Sequence, residues 1–227
     1  MLGFRERTIP ADDGATLHAF IHDGETAPVL LLHDLGMDAR YWEPFLDAAL
    51  IRQPKLAVAA IDLRGHGSSE LGSETSRKRM VKDLRKWIQQ LEIDPPIVVG
   101  HGYGADIALA ADFIAAVIAV NPAFGRAPAP ADAEVQIPTA VTGPVSEDAL
   151  RMCEIGANAA KPIRRSRRDP ESFFVLAEPA DLGPDALTDC LEIAVDVQHW
   201  QNGSRHLPIE SPTGLAALVL GVLEEVA

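Results

Sequence analysis

The sequence predicts an α/β protein: a mostly parallel, doubly wound sheet with helices on both faces and a reduced cap. Three observations predict it. Short apolar runs at residues 29–32, 56–61, 97–99 and 117–120 are continuous rather than alternating, as in strands covered on both sides. Helical periodicity fills the intervals between them, so strands alternate with right-handed crossover helices. At Gly100-His101-Gly102-Tyr103-Gly104 an apolar run breaks sharply, through small residues, into a second apolar stretch at 105–111.

Taken in order, residues 16–22 read as a strand after the turn Asp12-Asp13-Gly14, and 29–32 as the first buried strand. A helix over 40–52 follows, then a strand at 56–61 ending at Asp62. Met80, Val81, Leu84, Trp87, Ile88 and Leu91 recur at helical spacing and predict an amphipathic helix over about 76–92. The next strand, helix and strand fall at 97–99, 106–113 and 117–120. Beyond Asn121-Pro122 the pattern loosens. Strand signals recur at 137–141, 173–177 and 195–200, and helical ones at 146–160 and 215–226. All 227 residues are expected to form one domain, with 123–170 as a short excursion over the strand ends.

Composition narrows the partners. Hydrophobic residues make up 47% and charged residues 23%, the balance of a globular protein. The net charge of −13 argues against nucleic acid and anionic membranes. No apolar run approaches a membrane span, and the first seven residues carry no signal core, so a cytoplasmic protein is expected. Cys153 and Cys190 read as reduced thiols in helices. Metal-ligand spacing, a phosphate loop and a dinucleotide fingerprint are all missing, so neither metal nor organic cofactor is expected.

Four segments, in order along nearly the whole chain, resemble the α/β-hydrolase superfamily. His33-Asp34-Leu35-Gly36 is similar to the H-G-x-G oxyanion loop, and Asp62-Leu63-Arg64-Gly65-His66-Gly67-Ser68-Ser69 to the D-x-R-G-x-G-x-S turn. Gly100-His101-Gly102-Tyr103-Gly104 has the layout of the G-x-S-x-G nucleophile elbow. His206-Leu207-Pro208 resembles the segment that carries the triad histidine before the last helix. Two departures fall in one pocket: Gly102 stands where a nucleophile, usually serine, is expected, and Asp34 where glycine is usual. A milder one is Arg205, where glycine usually precedes the histidine.

The resemblance implies His206 as general base and a carboxylate partner that fixes its tautomer. Asp181, after the strand signal at 173–177, is preferred for that partner, with Asp148 as the alternative. The backbone N–H groups of Leu35 and Tyr103 would form an oxyanion hole, which loss of a serine leaves intact because it is main chain. Asp34 admits three roles: repelling charge at that hole, donating a proton if burial keeps it neutral, or bonding a neighbouring amide. His66 and His101 are read as packing and loop residues. The run Arg164-Arg165-Ser166-Arg167-Arg168 is read as a solvated face, less readily as a patch for an acidic carrier protein.

Without a serine hydroxyl no acyl-serine intermediate can form at Gly102. The first expectation is therefore an enzyme acting on a small organic substrate by non-covalent acid/base chemistry: elimination, cyclisation, isomerisation or direct hydrolysis. A catalytically inactive binding or scaffold protein is the second. The third is a serine esterase in which residue 102 was changed from serine to glycine.

Overall fold

Val29–Leu32, Val58–Ile61, Ile97–His101 and Ala116–Val120 are strands buried along their whole length, which is why their sequences are continuous apolar runs. In a computed structural model describing residues 1, 3–26, 28–93, 96–123, 146–158, 171–176, 196–199 and 206–226 they form the middle of an eight-stranded sheet. In chain order the strands are β1 (Arg5–Pro10), β2 (Thr16–His22), β3 (Val29–Leu32), β4 (Val58–Ile61), β5 (Ile97–His101), β6 (Ala116–Val120), β7 (Glu171–Leu176) and β8 (Asp196–His199). Their spatial order is β1-β2-β4-β3-β5-β6-β7-β8. β2 pairs antiparallel with β1 and β4, and every other pairing is parallel.

That order contains a reversal. The chain steps from β3 outward to β4, then returns past β3 to lay β5 on its other side. At such a switch point the connections leave in opposite directions and a crevice opens beyond the carboxyl ends of the strands. The register places Leu32 opposite Gly100, so the loop after β3 and the turn after β5 leave the sheet side by side.

Helices α1 (Glu43–Arg52), α2 (Arg77–Leu91), α3 (Tyr103–Leu109), α4 (Glu147–Asn158), α5 (Leu207–Glu210) and α6 (Pro212–Val226) follow in chain order. The stripe of α2 predicted from its spacing is buried at Met80, Leu84, Trp87 and Ile88, and Ser76 caps its first turn through the Arg79 N–H at 3.2 Å. α1 packs against α6.

Several boundaries differ from the sequence reading. β1 carries no apolar signal because it is an edge strand whose Arg5, Glu6 and Thr8 are exposed and only Ile9 is buried. A 3₁₀ turn at Ala39–Trp42, capped by Asp38 through Arg40 N–H, occupies the start of the helix expected over 40–52. α3 begins at Tyr103, immediately after the turn, rather than at 106. The strand expected at 137–141 and most of the excursion expected over 123–170 lie outside the described residues.

Candidate active site

The turn after β5 is built from three glycines with different jobs. A side chain at Gly100 would strike the backbone of Ala105, and one at Gly104 the carbonyls of Leu32 and His33, so both let α3 fold tightly onto the strands. Gly102, at φ 53° and ψ −118°, holds a conformation costly for residues with a side chain. Its N–H donates to Val120 O at 3.0 Å, and its carbonyl accepts from Ala123 N at 3.2 Å and Asp106 N at 3.3 Å. The turn is therefore fastened to the end of β6 as well as to its own helix.

Asp34 lies over this turn. A Cβ added to Gly102 would overlap Cγ, Oδ1 and Oδ2 of Asp34 together, so the carboxyl group lies across the volume an elbow side chain would fill. Its Oδ1 accepts from Leu35 N at 2.9 Å and from Tyr103 N at 2.7 Å. These are the two main-chain donors that the family resemblance implies for an oxyanion hole. They do converge, but on the chain's own carboxyl oxygen. Asp34 is 1% exposed.

Two buried histidines hold the Asp34 loop in place. His33 Nδ1 donates to Asp34 O at 2.7 Å while its Nε2 accepts from Leu63 N at 2.9 Å. His66 Nε2 accepts from Gly36 N at 2.9 Å while its Nδ1 donates to Arg64 O at 2.9 Å. A ring nitrogen that accepts from an amide cannot carry a proton, so both rings are fixed as neutral Nδ1–H tautomers. Burial pushes the His33 imidazole below the ordinary range and, with His33 nearby, takes His66 down to about 4. The packing role read for His66 thus has a definite content: it buckles the turn after β4 to the loop after β3.

That turn is itself anchored. Asp62 accepts from Ala39 N at 2.7 Å, Ser68 N at 2.9 Å and His18 Nδ1 at 2.8 Å. Burial pushes the Asp62 carboxyl up, but those hydrogen bonds outweigh it and hold it below the usual range. Arg64, its side chain fully buried, bridges Asp83 at 2.9 Å and Asp13 at 2.8 Å. The D-x-R-G-x-G-x-S segment is a strut rather than a reactive loop.

His206 precedes α5, where its carbonyl accepts from Ile209 N and Glu210 N, both at 3.0 Å. Its Nδ1 lies 3.3 Å from the Tyr41 hydroxyl. Tyr41, buried in the 3₁₀ turn, stacks on His101 with ring centroids 5.1 Å apart, and the His206 ring lies 6.1 Å from that of His101. His101, the ring shared by these contacts, immediately precedes Gly102. Sequence reasoning missed Tyr41, because an aromatic residue in a short turn has no motif to mark it. Of the two acid partners, Asp181 lies outside the described residues and Asp148 is exposed in the first turn of α4. Burial pushes the Tyr103 hydroxyl up to about 12, so it stays protonated and its contribution here is its backbone N–H. The basic run at 164–168 lies outside the described residues.

Residues 29–191 match the profile of the Alpha/beta hydrolase family. The chain belongs to the α/β-hydrolase family. Among curated α/β-hydrolase relatives, protein phosphatase methylesterase 1 of Bos taurus is 36% identical over 92 residues, covering 38% of this chain and 24% of that protein. (E)-2-((N-methylformamido)methylene)succinate hydrolase of Acinetobacter baylyi is 26% identical over 136 residues, 57% of this chain and 50% of that protein. The match thus spans about a quarter of the methylesterase and half of the succinate hydrolase. Solved structures agree on the fold. The bottromycin epimerase BotH, bound to bottromycin A2, superposes with a TM-score of 0.72 at 22% identity, covering 98% of this chain and 99% of that one. E-2-(Acetamidomethylene)succinate hydrolase gives 0.78 at 16%, covering 97% and 99%. No α-helix among the described residues is long and apolar enough to cross a membrane.

Proposed function

We propose that this α/β-hydrolase is an enzyme that acts on a small organic carbonyl or ester-like substrate by moving protons, with no covalent bond at position 102. The observation that carries this reading is the Asp34 carboxyl in the elbow's side-chain volume, with Oδ1 held by Leu35 N and Tyr103 N. Both lone-pair directions of Oδ1 are engaged, so any proton Asp34 carries or transfers sits on Oδ2. A positioned acid or base of this kind contributes about 10²–10⁴ in rate. His206, whose ring lies 6.1 Å from that of His101, the residue before Gly102, is the second proton-transfer group.

The position of Asp34 also selects among the reactions. While its carboxyl fills the hole, the Leu35 and Tyr103 amides do not serve a substrate oxyanion. Ordinary acyl transfer thereby loses its main electrostatic support. Proton abstraction, isomerisation, elimination and base-assisted attack of water need no such hole. The likeness to (E)-2-((N-methylformamido)methylene)succinate hydrolase supports a small carbonyl-bearing substrate. The proposal includes a cytoplasmic setting and no cofactor, and the charge of −13 supports a small-molecule rather than a nucleic-acid partner.

A second reading, an inactive binding protein, is favoured by the same carboxyl, which closes the hole with the chain's own side chain. The third, a serine esterase altered at 102, is disfavoured by the overlap of any residue-102 side chain with Asp34. A panel of carbonyl compounds and esters incubated in deuterium oxide separates them. Turnover or deuterium uptake that disappears in both Asp34→Asn and His206→Ala supports the enzyme. Ligand binding with no turnover in any of the three proteins supports the binding protein.

A further inference from the structure

α2 carries more positive charge than its packing uses. Arg77, Lys78, Arg79, Lys82, Arg85 and Lys86 all lie on it, against the single acidic residue Asp83, in a chain whose net charge is −13. Two of the six are engaged with the body of the protein: Arg79 turns inward to Asp83 at 3.2 Å, and Lys86 pairs with Asp12 at 3.5 Å. The outward face is a straight row. Lys78, Lys82, Arg85 and Gln89 recur at offsets of four, three and four residues and are exposed. At 1.5 Å of rise per residue the row is about 17 Å long. Lys78 and Lys82 make no ion pair among the described residues. Arg85 is held in place, with its guanidinium carbon 3.8 Å from the centroid of the Phe113 ring and Nη2 3.3 Å from Asp112, yet its side chain is 51% exposed. A cation already fixed on an aromatic ring has little rotamer freedom left to lose on binding.

The helix itself gains nothing from this row. Its first turn holds no acidic residue, and Arg77, Lys78 and Arg79 stand at the end where the macrodipole disfavours cations. Lys78 and Lys82 form a like-charge pair at i,i+4, as do Lys82 and Lys86, and such pairs weaken a helix. Cations set against the preference of their own helix, and exposed, fit an anionic ligand from outside the chain.

We propose that the outward face of α2 docks an acidic helix of a partner protein. Carboxylates spaced four, three and four residues apart on the incoming helix repeat the spacing of the row, so that each meets Lys78, Lys82, Arg85 or the Gln89 amide. An extended polyanion fits less well. A membrane surface or a DNA duplex would also face the rest of a chain at −13, whereas a segment about 17 Å long is screened from distant charge by a Debye length of about 8 Å at physiological salt. A second copy meeting the first across a two-fold axis at this face would set two basic rows against each other. The row uses no residue of the candidate active site, so docking here does not depend on the proposed proton chemistry.

The test is fluorescence anisotropy with a labelled alanine-based peptide of about 18 residues, long enough to hold a helix in water, carrying glutamates at i, i+4, i+7 and i+11. A second peptide has the same residues with the glutamates spread around the helix. The proposal predicts that the full-length protein binds the first peptide at least tenfold tighter than the second, and more weakly as salt is raised. Lys78→Glu with Lys82→Glu should lose at least tenfold in affinity, while Arg52→Glu with Lys55→Glu, an equal charge change on exposed residues elsewhere, should keep it. Lys78→Ala with Lys82→Ala, both good helix positions for alanine, should lose affinity in the same direction and guards against misfolding of the reversed pair. Equal affinity for the two peptides, or equal losses in the α2 and control variants, would reduce the effect to net charge and overturn the proposal. A protein that leaves the peptide unbound while binding phosphatidylserine vesicles or duplex DNA would overturn it as well, as would one that binds none of them.

Discussion

Asp34 and Gly102 are complementary: the carboxyl group of one occupies the side-chain volume that the other lacks. They approach because β3 and β5 are adjacent and parallel, with Leu32 opposite Gly100, so the residues just past each strand end share one crevice. A serine at 102 and an aspartate at 34 cannot both occupy that crevice as Asp34 now does. The identities of residues 34 and 102 are thereby one feature of the crevice.

Gly102→Ser should consequently fail to make an esterase. Overpacking against Asp34, together with a side chain at φ 53°, should cost about 1–3 kcal/mol in urea unfolding. Asp34→Gly combined with Gly102→Ser should recover most of that loss and release p-nitrophenol from a short ester in a burst. A burst from the single variant would show that Asp34 does not block the serine.

Asp34→Ala removes an acceptor and leaves two buried amides without their partner, a loss of about 2–4 kcal/mol. Formate, which has the shape of the missing group, should restore part of this in a concentration-dependent thermal melt. Chloride at equal ionic strength should not. Asp34→Asn, which keeps a carbonyl oxygen for the amides, should change stability by less than about 1.5 kcal/mol while abolishing turnover.

Acid should weaken the protein through His66. Its folded-state pKa, lowered to about 4, lies below the ordinary 6.5, so between these values the unfolded chain binds the proton and the folded one does not. Stability is then lost as pH falls through that window, of order 2 kcal/mol from this residue between pH 7 and pH 5. His33, shifted the same way by burial, adds to the loss. His18 works in the opposite sense, because its hydrogen bond to Asp62 raises it and its contribution fades as pH rises. Urea unfolding of the parent and His66→Gln at the two pH values should show a smaller acid loss in the variant.

Much of the fold was legible because β3, β4, β5 and β6 are covered on both faces and must be apolar at every position. β1 was not, since a charged edge strand with one buried residue looks like a loop in one dimension. The candidate site was legible as identities: Asp34, Leu35, Gly102, Tyr103 and His206 could all be named from motif positions. The direction of the Asp34 side chain could not, because the loop's own Leu35 amide and the distant Tyr103 amide meet at its Oδ1 only after two strands pair. Tyr41 was invisible for a similar reason: its contact with His206 joins a 3₁₀ turn to the start of α5 across 165 residues of chain.

Tyr41→Phe probes that contact. Loss of the hydroxyl 3.3 Å from Nδ1 should shift the nitrogen resonances of His206, while changing stability by less than about 1.5 kcal/mol. Unchanged His206 resonances would show that Tyr41 only packs.

The occupancy of the hole can be read directly from the amide protons of Leu35 and Tyr103 as formate is added. The account predicts saturable shifts of both resonances in Asp34→Ala and none in the parent protein, whose own carboxyl already holds them. Equal responses in the two proteins would mean that the hole is open, and the account of the site would fail.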